Sequence, residues 1–371
     1  MRKFNIIAFP YRDLYFRHKY GPAVRDLQII DALSHSPRVE KITVVNRPVS
    51  IFERISGKPK KYGMSDTDKV TVVDRTSLQM FAHLQKRKWF GYCYDEYNDL
   101  DFYEDGLLNV VLDFTPLSLL PYQSIRHDYI WYDMIDNFTK HNRYSTAERE
   151  LVGRKYELVG QFANLITGVS EASVANYNNG VVLPNSAGAS KPRRIADAYG
   201  DVKYDFGFIG FITDKFDLRL ITSLAARGYN VGIFGAFYDA GVRRKLQSIS
   251  GVHIGGPFQH SEIPRIVRQF KVGLIPYLKD KLHDESPIKL YQYLLHGRPV
   301  LSSVQYEIVA SHIGVYENAA SEETAALAAS LIALSAREPE RRKIAESLSE
   351  QTFWDYKLDR ILDRIADEMQ H

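Results

Sequence analysis

The second half of the chain alternates short apolar runs with stretches of helical periodicity. The apolar runs cover residues 205–211, 229–235, 252–256, 271–277 and 299–303. Helical patterns separate them, so that every strand-like run is followed by a helix. Strict alternation of this kind indicates βαβ units and a parallel sheet. We therefore predict a doubly wound α/β domain over residues 204–350.

The first half repeats this logic less regularly. Apolar runs that predict strands cover residues 4–9, 41–47, 107–114, 129–134, 164–170 and 181–184, and a helix is predicted from 22 to about 34. These segments predict an N-terminal Rossmann-like domain over residues 1–186. The stretch after it is polar, contains Gly and Pro and lacks an apolar period, which predicts a hinge over 187–203.

The C-terminal tail has the pattern of an amphipathic helix. Apolar residues recur at positions i, i+3, i+4, i+7 and i+11 from Leu358 to Met369. One apolar stripe needs a surface to cover. We expect residues 351–371 to cross back and pack on the N-terminal domain.

Length and composition narrow the class of protein. A chain of 371 residues fits two domains, and 45% hydrophobic with 25% charged residues excludes a disordered or fibrous protein. No apolar run approaches the roughly 18 residues of a membrane span, and the opening residues predict a strand rather than a signal peptide. The single cysteine, Cys93, predicts a reducing cytoplasm because it has no partner for an internal disulfide.

The formal charge of +3 hides an uneven distribution. The first 100 residues hold 18 basic and 11 acidic side chains, so the N-terminal part is basic and the remainder is slightly acidic. This excess is compatible with nucleic acid, an anionic membrane surface or an acidic ligand, and the charge count alone does not choose among them.

One segment, residues 286–303, is unusually well delimited as a short helix followed by a strand. Ser286 suits the N-cap and Pro287 the first helical position. Lys289 falls in the first turn, where backbone N–H groups and the helix dipole favour an anion. Gln292 and Tyr293 lie on the same face and could reach a ribose or base. The pattern favours a nucleotide diphosphate site, although a solvated Lys289 on an amphipathic helix is the alternative.

These motifs resemble a known family. The form S-P-x-K-x-x-[EQ]-Y-x-x-x-G-x-P-V, preceded by V-G-[LI]-x-P-Y, resembles the donor-binding domain of GT-B glycosyltransferases. The Lys289 and Gln292 spacing, with Tyr277 ending the preceding strand, is most similar to the inverting xanthan-type glucuronosyltransferases, which extend lipid-linked exopolysaccharide units. The resemblance implies an α/β GT-B fold with two doubly wound Rossmann-like domains facing a central cleft, the first for the acceptor and the second for a nucleotide-sugar donor.

The resemblance also implies site residues. Asp136 would be the base, and a nucleotide contact would fall near Ile212. The acidic residue expected before the Lys-x-x-Gln helix has no secure counterpart among His283, Asp284 and Glu285, so the sugar stays open, with glucuronate suggested by resemblance alone. The predicted donor-binding residues are Tyr277, Ile212, Glu285, Ser286, Lys289, Gln292 and Tyr293. The expected co-substrate is a nucleotide sugar, with a UDP-sugar as the first candidate.

Inverting transfer needs a group that accepts the acceptor proton and a group that stabilises the departing diphosphate. Asp136 would supply the first and Lys289 the second. Neither role needs a metal or a resident cofactor, and the Asp-x-Asp strings at 66–68 and 99–101 lie in polar stretches without a histidine cluster. Asp136 could instead cap a helix or pair with an arginine, and Asp13 is the reserve base.

Two basic segments of the first half are candidates for acceptor and membrane contacts. Arg12 and Arg17, after the first strand, could meet a lipid-linked pyrophosphate, or form a solvated loop. Lys86, Arg87 and Trp89 combine charge and aromatic surface in a way that suits an anionic membrane, or end a helix packed by its aromatics. An acidic run follows directly and no recognition motif is present, which argues against nucleic acid.

The sequence therefore favours an inverting GT-B glycosyltransferase that is peripheral on the inner face of a bacterial cell membrane and extends a lipid-linked glycan. A retaining GT-B enzyme is the first alternative, which would place Asp284 or Glu285 near the sugar and tolerate loss of Asp136. A non-catalytic nucleotide-sugar-binding protein of the same fold is the second.

Overall fold

A computed structural model describes residues 2–55, 67–78, 86–192 and 201–370 of the chain. It divides into two compact units. Unit 1 comprises Met1–Pro184, His283–Glu285 and Trp354–His371, and unit 2 comprises Asn185–Leu282 and Ser286–Phe353.

Unit 1 is built on a parallel sheet of seven strands in the order β4-β2-β1-β6-β7-β8-β9. The strands of this unit are β1 Phe4–Phe9, β2 Val39–Val45, β3 Val49–Ser50, β4 Val70–Val73, β5 Thr76–Ser77, β6 Leu108–Asp113, β7 Tyr129–Met134, β8 Leu165–Gly168 and β9 Gly180–Val182. Strands β3 and β5 form a separate parallel pair. The helices are α1 Leu14–Tyr20, α2 Arg25–His35, α3 Ile51–Ile55, α4 Thr146–Phe162 and α5 Glu171–Val174.

Strands β1, β6 and β7 are buried along their whole length, because helices cover both faces of a parallel sheet. Helix α4 starts at a capping box in which Ser145 and Glu148 satisfy each other's backbone N–H groups. It follows β7 and returns the chain to β8. The loops after β1 and β7 therefore emerge at the same edge of the sheet, where the rings of Tyr11 and Phe138 are 5.2 Å apart.

The C-terminal helix also belongs to unit 1. It spans Trp354–Glu368 and packs against α2 with its apolar stripe buried. The indole Nε1 of Trp354 donates to Gln28 Oε1 at 3.1 Å, and the Arg25 guanidinium lies 5.2 Å from the indole ring centre. The expectation that the amphipathic tail packs on the N-terminal domain is confirmed.

Unit 2 is built on a parallel sheet of six strands in the order β12-β11-β10-β13-β14-β15. Its strands are β10 Tyr204–Ile209, β11 Val231–Phe234, β12 Val252–Gly256, β13 Phe270–Ile275, β14 Val300–Ser302 and β15 Ile313–Val315. Its helices are α6 Leu218–Ala226, α7 Ala240–Gln247, α8 Ile263–Val267, α9 Ile288–Leu295, α10 Glu322–Ala336 and α11 Glu338–Glu346. The C-terminal helix Trp354–Glu368 is α12.

The two parallel sheets confirm the predicted α/β class, and every predicted strand is present within a few residues of its expected bounds. The prediction omitted the short strands β3, β4, β5 and β15, of which β4 and β15 lie at the edges of the two large sheets. Among the described residues, no helix is both long enough and apolar enough to span a membrane.

Candidate functional site

In unit 2, the carboxyl ends of β10 and β13 meet the first turn of α9. Lys289, in that turn, donates from Nζ to the Tyr277 hydroxyl at 2.5 Å, and Tyr277 follows β13. The Lys289 ammonium also lies 5.3 Å from the ring centre of Phe208, on β10. The lysine is thus fixed at the sheet edge where parallel α/β domains bind ligands.

Two glycines let the backbone pass close to this lysine. Gly210 follows β10 with φ +128°, and a Cβ there would lie 3.2 Å from Lys289 Cε. Gly235 follows β11 with φ +148°, and a Cβ there would lie only 1.7 Å from the carbonyl oxygen of Gly210. Both positions require glycine, because an L side chain would be strained by its φ and would collide with its neighbour.

A second lysine reaches the same place. Lys215 Nζ lies 4.5 Å from the centre of the Tyr277 ring. Lys215 could not be recognised from the sequence, since it stands alone in the loop before α6 with no spacing that marks it. With Lys289 it makes this sheet edge cationic.

The start of α9 differs from the prediction. The N-cap residue is Pro287, the first helical residue is Ile288, and no side chain caps the helix within unit 2 as described. Ser286 is not the cap, because its hydroxyl donates to Glu307 Oε1 at 2.6 Å, and Tyr291 donates to the same carboxylate. The N-cap residue therefore offers no side chain to the first N–H groups of α9, which is compatible with an anion site at this helix start.

Three of the predicted donor-binding residues have buried side chains. The Tyr293 hydroxyl accepts from Ile209 N at 3.0 Å and donates to Leu274 O, and burial raises the pKa of Tyr293, so the hydroxyl stays protonated. The Ile212 side chain is fully buried, and the Gln292 amide faces the Ala187 carbonyl at 3.4 Å. The expected role of Tyr293 in touching ribose or base is corrected to packing, because its side chain has no exposed surface.

Asp136 lies in unit 1, in the loop after β7, with a quarter of its side chain exposed. Its backbone carbonyl accepts from the Tyr156 hydroxyl at 3.0 Å, and that hydroxyl accepts from Phe138 N at 3.1 Å. Burial raises the pKa of Tyr156, so this hydroxyl remains a donor. The loop that carries Asp136 is therefore fixed from beneath by α4.

Residues 283–285 join the same unit through a set of hydrogen bonds. Asn137 N donates to His283 O at 3.1 Å, Lys140 Nζ pairs with the Asp284 carboxylate at 2.9 Å, and the Ser170 hydroxyl donates to Asp284 O at 3.0 Å. Asp284 has φ +62°, a left-handed conformation that Asp tolerates better than most residues. Glu285, predicted among the donor-binding residues, belongs to unit 1 and lies beside His283, and its contact with the donor stays a prediction.

His283 lies between two carboxylates of this cluster. Its Nδ1 is 3.8 Å from Asp136 Oδ2 and 3.6 Å from Glu285 Oε2, and its ring is buried. One face of the ring stacks on His141, with centroids 5.0 Å apart and planes 14° apart. In the sequence, His283 stands out only as one of three residues near the acidic position expected before the Lys-x-x-Gln helix. No local motif marks it as a partner of Asp136.

The remaining candidate residues of the first half have side-chain partners within unit 1. Asp13 caps α1 through Phe16 N and lies 3.7 Å from Arg47, which makes it a weaker candidate for the base. Arg17 pairs with Asp31 at 3.1 Å, and the Arg12 guanidinium lies over the rings of Tyr11 and Phe16.

The aromatic part of the expected membrane contact is corrected. Trp89 is 2% exposed and packs in the core with the Arg47 guanidinium 5.4 Å from its ring, because the 3₁₀ segment Lys86–Gly91 directs it inwards. The side chains of Lys86 and Arg87 lie outside the described residues. Over the described ranges, no three His, Cys, Asp or Glu side chains converge as metal ligands.

Solved structures similar to the whole chain are glycosyltransferases and their relatives. HepE from Anabaena, in complex with UDP and glucose, has a TM-score of 0.62 at 11% identity, covering 98% of this chain and 100% of its own. The sucrose-phosphate synthase of Thermosynechococcus elongatus has a TM-score of 0.62 at 11% identity, with 99% and 100% covered. The chain has the GT-B fold.

A third GT-B structure extends the comparison. AviGT4, a glycosyltransferase involved in avilamycin A biosynthesis, has a TM-score of 0.58 at 12% identity, covering 100% of this chain and 98% of its own. No protein-family model and no curated protein sequence matches the chain. At this level of identity the likeness establishes GT-B architecture and leaves the reaction to be argued from the residues.

Proposed function

We propose that this protein is an inverting glycosyltransferase that transfers a sugar from a UDP-sugar to a lipid-linked glycan, with Lys289 holding the donor diphosphate and Asp136 acting as base. The observation that carries the proposal is the position of Lys289: first turn of an uncapped helix, at the carboxyl edge of a parallel sheet, beside a glycine of positive φ. HepE, which has the same fold, was solved with UDP and glucose.

The donor half of the reaction rests on unit 2. As the bond between the anomeric carbon and the diphosphate breaks, its electron pair leaves with the nucleotide and negative charge grows on the phosphate oxygens. The Lys289 ammonium and the N–H groups at the start of α9 stabilise that charge, and Lys215 adds a second cation. Tyr277 positions both lysines.

The acceptor half rests on unit 1. The acceptor hydroxyl attacks the anomeric carbon and loses its proton to an Asp136 carboxylate oxygen, a step typically worth about 10²–10⁴-fold in rate. Asp136 suits this role because its side chain is partly exposed while its backbone is held by Tyr156. The products are the extended glycan with inverted configuration and free UDP.

The side-chain partners of Asp284 and Glu285 support the inverting mechanism over the retaining alternative. A retaining enzyme was expected to use one of these carboxylates near the sugar. Lys140 and Asn137 bind the Asp284 carboxylate, and Glu285 faces His283 in unit 1. NMR of the anomeric product distinguishes the two mechanisms, and a product of retained configuration would overturn the inverting proposal.

The basic N-terminal half supports an anionic acceptor and an anionic membrane surface as partners. We assign the lipid-linked pyrophosphate to Arg12 and Arg17, and we place the enzyme at the anionic inner face of a bacterial membrane, with glucuronate as the sugar to test first in exopolysaccharide assembly. Vesicles with and without anionic lipid provide the test. Salt-sensitive binding to anionic vesicles is expected, and equal binding to both vesicle types would exclude the membrane role.

Calorimetry with UDP tests the donor site directly. Lys289→Ala should lose about 1–3 kcal/mol of UDP binding free energy, as expected for a charged hydrogen bond. Lys245→Ala, on the surface of α7, is the matched control that removes a lysine from the same unit. Equal UDP affinity in both variants and the native protein would show that the phosphate assignment is wrong.

A second experiment tests catalysis. UDP-glucose, UDP-glucuronate and UDP-N-acetylglucosamine are incubated with the enzyme and a membrane lipid extract, and UDP release and labelled glycolipid are measured. Asp136→Asn should abolish transfer and keep UDP affinity. Binding of UDP-sugars without any turnover would instead favour the non-catalytic alternative.

A further inference from the structure

The buried nitrogen of His283 is an unusual feature of unit 1. Its Nδ1 makes no hydrogen bond to any described residue, although two carboxylate oxygens lie 3.6 and 3.8 Å away. Leaving a buried polar atom without a partner is unfavourable, so its surroundings should offer it one. Because both facing groups only accept, a lone pair on Nδ1 would face two negative oxygens, whereas an N–H there faces two acceptors.

The surroundings fix the plane of this ring. His141 stacks on one face, and the His141 ring itself stacks on Phe138 and Tyr144. His141 Nδ1 accepts from Arg143 N at 3.2 Å. Asp284, the next residue in the chain, pairs with Lys140. The stack therefore fixes the plane of the ring, and the two carboxylate acceptors on one edge favour the orientation in which Nδ1 faces Asp136 and Glu285.

We propose that His283 is a positioning residue for Asp136, which donates its Nδ1–H to the Asp136 carboxylate and has Glu285 as its second acceptor. This inference rests on the proposed role of Asp136 as base. The distances are longer than the 2.7–3.2 Å of a formed bond, as is common for catalytic hydrogen bonds before substrate is present. A shift of about 1 Å on acceptor binding would complete the bond.

In the transfer step, one Asp136 oxygen holds the His283 N–H while the other takes the proton of the acceptor hydroxyl. The acceptor oxygen bonds to the anomeric carbon, the bond to the diphosphate breaks and UDP departs with the electron pair. His283 keeps its own proton throughout. Its contribution is orientation of the carboxylate, which affects kcat and leaves donor binding unchanged.

Two substitutions separate the hydrogen bond from the bulk of the ring. In His283→Asn the side-chain amide lies where Nδ1 lies, whereas in His283→Gln it lies where Nε2 lies. We expect the Asn variant to keep most of kcat and the Gln variant to lose about 10–100-fold, as for a misplaced reacting group, with KM for the UDP-sugar unchanged in both. If bulk alone mattered, Gln, which is closer in size to His, would be the better replacement.

The assay measures UDP release from UDP-glucose and UDP-glucuronate with lipid extract. His127→Asn and His127→Gln form the control pair, since the His127 Nδ1 pairs with the backbone carbonyl of Ile125, two residues away. Equal kcat in the two His127 variants is expected. Equal loss in both His283 variants, or better activity in Gln than in Asn, would overturn the proposal.

A measurement independent of turnover keeps this test separate from that of the proposed function. The ¹⁵N shifts of the histidine rings, with His283 assigned by its absence from His283→Gln, show which ring nitrogen carries hydrogen. We expect a protonated Nδ1. An unprotonated Nδ1 would refute the inference even in an active enzyme, while a protonated Nδ1 in a protein without turnover would reject only the catalytic proposal.

Discussion

Asp26 is a carboxylate in the interior of unit 1, and replacing it with Asn should change how stability depends on pH. Asp26 lies in the first turn of α2, and its Oδ2 accepts from Arg12 N at 2.8 Å. Its Oδ1 is buried and has no hydrogen-bond partner among the described residues. Burial raises the pKa of Asp26 from 3.8 to about 6, and the Arg12 N–H and charge offset only part of that rise.

The direction of the pH dependence follows from the linkage between proton binding and folding. Because the folded-state pKa exceeds the unfolded value, folding favours the protonated acid, and this contribution is complete below about pH 4 and is lost as pH rises through about 6. A difference of about 2 pKa units corresponds to about 3 kcal/mol. Asp26→Asn stays neutral at every pH, so its stability relative to the native protein should rise by about 2–3 kcal/mol between pH 4 and pH 8, since part of the change already lies below pH 4. Any cost of burying the amide is the same at both pH values and cancels.

Tryptophan fluorescence is a suitable probe because all three tryptophans, Trp89, Trp131 and Trp354, are buried in unit 1. Urea unfolding is followed at several pH values from 4 to 8 for the native protein and the variant. Asp105→Asn, at an exposed turn, serves as the control for removing a carboxylate. A stability difference for Asp26→Asn that is constant over this range, or that falls as pH rises, would refute the reasoning.

Three further predictions concern the core and the donor site. Lys155→Met leaves the buried Asp113 carboxylate without its ion-pair partner, so the free energy of unfolding of unit 1 in urea should fall by about 3–5 kcal/mol. Most of that loss should return in the double variant that also carries Asp113→Asn. Tyr293→Phe removes a hydroxyl bonded to two strands, so the free energy of unfolding should fall by about 1 kcal/mol or more while UDP affinity in calorimetry stays native. A large loss of UDP affinity would instead identify Tyr293 as a donor contact. Gly210→Ala should weaken UDP binding. Gly228→Ala, at a position with positive φ and open space around it, should lower the stability of the fold without changing UDP affinity. Equal UDP affinity in the two variants would contradict the proposed close approach of the Gly210 backbone to Lys289.

Much of the candidate donor site could be predicted because its signals are local. The Pro, Lys and Gly that delimit residues 286–303 act within one helix and its flanking turns, so they identify α9 and place Lys289 in its first turn without knowledge of the rest of the chain. The strand next to it is equally evident from its apolar run. The start of α9 still differed by one residue, because Ser286 binds Glu307, a residue 21 positions away.

The partners of Asp136 could not be predicted in the same way. Residues 283–285 are far from Asp136 in sequence, and they join it through hydrogen bonds to Asn137, Lys140 and Ser170 that no spacing rule describes. Trp89 shows the same limit, since a Lys-Arg-Lys-Trp string is compatible with a membrane surface or with a buried ring, and only the packing of Arg47 against it decides.

The sequence by itself therefore determined two parallel α/β sheets, an amphipathic C-terminal helix and a lysine at a helix start, because hydrophobic period and capping act between near neighbours. The tertiary structure alone decided which side chains are buried, which carboxylates face one another and that His283 lies between Asp136 and Glu285. Those features depend on contacts between residues far apart in the sequence, whose geometry is set by how strands and helices pack rather than by any local preference.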